Sequence, residues 1–171
     1  MKKYISTALL LISIIMTANC QDFNQTILSE RTNSLILIGH GNRDAFSIPE
    51  FQGWFDETYE TYLPEKDVMN VLTGIELDEV TITIVMATWC PDSRREVPAF
   101  YRILDELSFP EDAISLINVN TDKEVPGEDL SSFDFEFVPT FIIYREREEL
   151  GRIIESPESS LEGDLLKILI D

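Results

Sequence analysis

The chain is poor in the residues that build most metal and disulfide centres. Its 171 residues include only two cysteines and one histidine. Two cysteines make no disulfide framework, and with a single histidine they cannot complete a Cys/His zinc cluster. Carboxylates abound, but no EF-hand-like spacing of oxygen ligands occurs, so no metal and no organic cofactor is expected. Basic residues are scarce as well, with 13 Lys+Arg against 32 Asp+Glu and a net charge of −19. Such a surface repels phosphate backbones and anionic headgroups, which argues against nucleic acid as a partner and against electrostatic docking to membranes. No P-loop, dinucleotide fingerprint or Ser/His/Asp order is present, and the acids form no defensible glycosidase pair. What is present is a core: 44% hydrophobic and 10% aromatic residues exclude wholesale disorder and suit a single domain.

The first twenty residues read as an address. Lys2 and Lys3 precede an apolar stretch from Ala8 to Met16 that only Ser13 interrupts, and small and polar residues lead into Cys20. This is the layout of a secretory signal over residues 1–19. An ordinary A-x-A cleavage site fits poorly, because Met16 lies two residues before Ala18. Thr17-Ala18-Asn19-Cys20 instead resembles a bacterial lipobox, in which the cysteine is acylated and becomes the first mature residue. Thr17 and Asn19 depart from the usual Leu and Gly or Ala of that motif; an uncleaved anchor and a non-lipidated cleavage are the alternatives. The resemblance implies a lipid anchor on Cys20 and a domain held outside the cytoplasm, in the bacterial cell envelope, facing the periplasm or the outside. Cleavage there would remove Lys2, Lys3 and no acid, leaving 11 basic against 32 acidic residues.

The expected organisation is a tether over 20–33, an N-terminal, mostly helical extension over 34–79, and a regular α/β unit over 80–171. Gln21 to Asn33 is polar without a sustained period. Ser34 to Ile38 reads as a strand stopped by a turn at Gly39-His40-Gly41-Asn42. Phe51, Trp54, Phe55, Tyr59 and Tyr62 fall on one helical face over Pro49–Leu63, more simply a core face than a ligand groove, and a short helix follows over Glu65–Leu72. Strands are expected at Val80–Ala87, Ile114–Val119, Thr140–Tyr144 and Leu150–Ile154, and helices at Asp92–Leu107 and Ser160–Ile170. That order implies a central mixed β-sheet flanked by helices.

The informative segment is Trp89-Cys90-Pro91-Asp92-Ser93, where an apolar strand passes into a helix. A cysteine just before a helix meets unpaired N–H groups and the positive end of the dipole, both of which favour thiolate. Arg94 and Arg95 push the same way and Asp92 pushes back, while the Ser93 hydroxyl is placed to donate to the sulfur. Pro91 pre-sets the backbone for helix initiation, and Trp89 offers an aromatic surface beside the thiol. His40, between two glycines, is expected to be solvated or to cap a turn.

Strand, W-C-x-x-[C/S] and helix resemble the thioredoxin superfamily. Pro98, eight residues after Cys90, falls where that family has a kinking proline. Val138-Pro139-Thr140 looks like its loop with a cis proline facing the cysteine, and the terminal hairpin and helix complete the order over about residues 80–170. The resemblance implies a thioredoxin-like fold, with Cys90 and Ser93 catalytic and Trp89, Pro91, Val138, Pro139 and Thr140 contacting substrate. Two departures matter. Ser93 replaces the second cysteine, so a mixed disulfide cannot be resolved internally. Ile84 stands where the family keeps a buried acid beneath the site. The expected activity is therefore monothiol thiol–disulfide exchange on protein thiols or mixed disulfides, with a small thiol releasing the product. The competing readings are a redox-inactive binding module that grips an extended peptide through the Trp89–Pro139 surface, a peroxide-reactive sensor, and a buried inert cysteine.

Overall fold

The structure is a computed structural model and describes residues 23–170. The expected signal segment and Cys20 lie outside the described residues. Six strands form one mixed sheet in the order β1-β2-β4-β3-β5-β6. They are β1 (Gln25–Ser29), β2 (Ser34–Gly41), β3 (Val80–Met86), β4 (Ile114–Asn118), β5 (Thr140–Arg145) and β6 (Glu148–Ile154). Helices α1 (Pro49–Thr61) and α2 (Lys66–Leu72) lie between β2 and β3. Helix α3 (Pro91–Glu106) joins β3 to β4, and α4 (Leu161–Ile170) closes the chain. Only β3 and β4 are parallel, as the intervening helix requires; the other pairings are antiparallel.

Each central strand alternates between two apolar clusters, as the period of two dictates. Leu37, Ile82, Ile84, Leu116, Phe141 and Ile153 share the larger cluster with side chains from all four described helices. Ile38, Val85, Ile117 and Ala87 point to the other face and meet Val125, Leu130 and Val138. The sheet is thus not flanked by helices on both sides. Its second face is covered by the segment from residue 119 to 139, whose only regular piece is a 3₁₀ turn at Ser131–Phe133. Acids, Pro126-Gly127 and the absence of a helical period explain why this segment forms no helix.

Two further expectations need correction. Residues 25–29 are not tether but edge strand β1, in register with β2 from Gln25↔Ile38 to Ser29↔Ser34. The lack of any alternation in QTILS hid a strand that is stabilised by its neighbour rather than by its own burial. Gly39-His40-Gly41 is likewise strand, pairing with β4 from Gly39↔Asn118 to Gly41↔Leu116. A Cβ at 41 would stand 3.0 Å from Asn118 Nδ2 and from Asn24 Oδ1, so a larger residue there would require both side chains to shift. The extension over 34–79 is therefore part sheet and part helix.

The aromatic face of α1 is core. Phe55 stacks on Phe46 with centroids 4.4 Å apart, and Tyr101 of α3 lies 5.9 Å from Phe55. Burial holds the Tyr101 phenol well above the usual tyrosine range. Its neutral form is favoured in the fold, so the stability it contributes is complete below the unfolded-chain value of about 10 and falls as pH rises beyond it. Tyr101→Phe is therefore expected to be close to neutral at pH 7 and to lose less stability than the parent at pH 11. Urea midpoints at the two pH values measure this.

Candidate functional site

The site lies at the carboxyl ends of the parallel pair β3 and β4, the end of an open α/β sheet where connecting loops diverge. Cys90 is the N-cap residue of α3, with extended backbone and no side-chain cap bond, and Pro91 occupies the first turn. Across from it, the Val138–Pro139 peptide is cis. The Cys90 Sγ donates to the Val138 carbonyl at 3.2 Å, which joins the two loops directly. Cys90 is 7% exposed. Trp89 is half-buried, and its indole N–H donates to the Val119 carbonyl at 3.2 Å, so its ring is fixed beside the second cluster. Pro91 is exposed.

Several residues assigned to the site have other partners. The fully buried Ser93 hydroxyl accepts the Ala87 amide at 3.2 Å and makes no hydrogen bond to the sulfur. Thr140 is also buried; its hydroxyl donates to the Phe137 carbonyl at 2.7 Å, while the Pro139 carbonyl accepts from Glu155 N at 2.7 Å. Pro139 and Thr140 thus hold the loop in shape rather than present a surface. Arg95 is paired with Asp92 at 2.7 Å and Glu96 at 2.6 Å, and Arg94 Nε donates to the Thr88 carbonyl at 2.5 Å. Neither guanidinium hydrogen-bonds the sulfur. Ile84 is wholly buried in the larger apolar cluster, whereas Cys90 belongs to the second. The exposed apolar surface of the loop comes instead from Phe137, at 41% exposure, which carries the Lys123 ammonium 5.3 Å from its ring.

Thr88 has a part that spacing alone did not announce. It is buried, and its Oγ1 accepts the Leu37 amide at 3.1 Å, continuing the hydrogen bonding of β2 where β4 has ended. Its carbonyl takes Arg94, whose guanidinium lies 5.9 Å from the Trp54 ring. The loop carrying Cys90 is therefore tied to the N-terminal strand and to α1. The His40 imidazole is engaged elsewhere, bonding Glu128 at 2.8 Å through Nε2.

Because Ser93 serves the Ala87 amide, Ser93→Ala is expected to cost about 1–3 kcal/mol of stability, the penalty of leaving a buried donor unpaired. Its effect on thiol chemistry is expected to be only a few-fold. Denaturant titration beside an exchange assay separates the two.

No family model matches the chain, and no curated protein matches it. Among solved structures, a protein of unknown function from Pseudomonas aeruginosa superposes with a TM-score of 0.56 at 20% identity, over 77% of this chain and 92% of that one. An HIV epitope-scaffold protein gives a TM-score of 0.55, also at 20% identity, over 77% of this chain and 92% of that chain. Both likenesses are of fold. A mutant thioredoxin from Halobacterium salinarum is a distant structural neighbour, with a TM-score of 0.36, 14% identity and coverage of 62% of this chain and 82% of that one.

Proposed function

We propose that the chain is a thioredoxin-like protein of the bacterial cell envelope, anchored by a lipid on Cys20, that carries out monothiol thiol–disulfide exchange through Cys90. The observation that carries this reading is the meeting of two loops at one sulfur: Cys90 at the start of α3 and Val138 beside a cis peptide bond, 3.2 Å apart. Cys90 is the single free thiol among the described residues, which suits a one-cysteine cycle.

The cycle has two balanced steps. The Cys90 thiolate attacks a mixed disulfide P–S–S–R, releasing the protein thiolate P–S⁻ and forming Cys90–S–S–R. A small thiolate R′–S⁻ then attacks that bond, releases R–S–S–R′ and restores Cys90. One small thiol is oxidised, R stays in a disulfide, and one protein cysteine is reduced and freed. Trp89, Pro91 and Phe137 form the surface against which the substrate peptide would lie. Incubation with a thiolated protein and a small thiol, followed by intact mass, tests the scheme. The Cys90–S–S–R adduct must accumulate when the small thiol is withheld.

A second reading, a redox-inactive binding module, is favoured by one feature: the thiol is nearly closed off and already donates to a carbonyl. It predicts partner capture that survives loss of the sulfur.

A further inference from the structure

We infer that edge strand β1 lies against the lipid surface, so that the domain is seated on its membrane rather than suspended above it. The inference rests on the proposed lipidation of Cys20. Three residue steps separate Cys20 from Phe23, the first described residue, and an extended chain spans at most about 11 Å in that length. No slack remains to act as a tether. The side chains at this point are apolar and unburied: Phe23 is 53% exposed, Ile27 38% and Leu28 68%. An exposed, apolar edge strand invites other strands and is ordinarily covered. The acylated cysteine holds a bilayer within that reach, and Phe and Leu side chains partition into its interfacial zone without help from basic residues.

The seating specifies the substrates of Cys90. In the order β1-β2-β4-β3, β3 lies three strand spacings, about 14 Å, from β1. Cys90 follows β3, so the seating keeps it close to the membrane surface and within reach of cysteines in the adjacent segments of envelope proteins.

The test uses the full chain, made in a bacterial host that acylates lipoproteins and reconstituted into phosphatidylcholine vesicles brominated high on the acyl chains. Intact mass reads acylation of Cys20. Leu28→Trp on β1 and Glu148→Trp on the far edge strand β6 report lipid contact above the shared signal of Trp54 and Trp89. The expected result is several-fold stronger quenching of the added emission in Leu28→Trp than in Glu148→Trp. Equal quenching at the two edges, or none at either, in acylated protein overturns the seating and leaves the anchor standing. Unmodified Cys20 removes the anchor and the seating together, while the Cys90 exchange assay remains a separate question. A dimer that Leu28→Asp disperses would assign the edge to a second copy and also overturn the proposal.

Discussion

Cys90→Ser is expected to bring mixed-disulfide exchange down to the uncatalysed background, a complete loss rather than a graded one. The hydroxyl is smaller and more polar than the thiol, but it can donate to the same Val138 carbonyl that the thiol reaches at 3.2 Å. The fold should therefore change in stability by no more than about 1 kcal/mol, the net worth of one such hydrogen bond. What is lost is the nucleophile, because exchange proceeds through a thiolate and a serine hydroxyl does not ionise in the working range. Equal urea midpoints with opposite activities would locate the chemistry at the sulfur. Equal activities would end the exchange reading. Partner capture by pull-down that is unchanged in Cys90→Ser, with no exchange in either protein, would move the assignment to the binding module.

The regular elements were legible because their causes are local. Val80–Met86 is β-branched and nearly all apolar, as a central strand buried on both faces must be. The apolar face of Pro91–Glu106 has helical spacing, and Cys90-Pro91 marks its start. The juxtaposition of Cys90 with Val138 was reachable only through a family resemblance, since 48 residues separate them and no periodicity links them. The side-chain duties inside the site were not legible at all. Ser93 serves the Ala87 amide across the turn from β3 into α3, while Thr88 serves the Leu37 amide because of where β4 stops and how β2 passes it. The first is a fact of turn geometry and the second a fact of register, set by pairing across the sheet. The strand at 25–29 was missed for the same reason: its backbone is satisfied by β2, while its sequence, QTILS, has no buried face of its own to advertise.

Removal of the N-terminal extension should abolish folding altogether, although the family resemblance covers only about residues 80–170. The minimal unit would keep β3 to β6, α3 and α4, but lose the strand that covers β4, whose Leu116 and Ile117 are at most 1% exposed. It would also lose Leu37, Phe46, Phe51, Phe55, Met69 and Leu72, each no more than 6% exposed. Their loss would turn the residues they pack against, Tyr101 among them, toward water, and each large apolar side chain so exposed costs about 1.5–3 kcal/mol against a domain stability of about 5–15 kcal/mol. The Thr88 hydroxyl would also be left without the Leu37 amide and Arg94 without the Trp54 ring. Residues 80–171 expressed alone should show no cooperative urea transition and no exchange, whereas residues 21–171 should unfold in one step. A cooperative transition in the shorter chain would mean that α1, α2 and β2 are an accessory layer. One transition in the longer chain alone would mean that the loop bearing Cys90 takes its shape from a strand and a helix that the minimal unit does not contain.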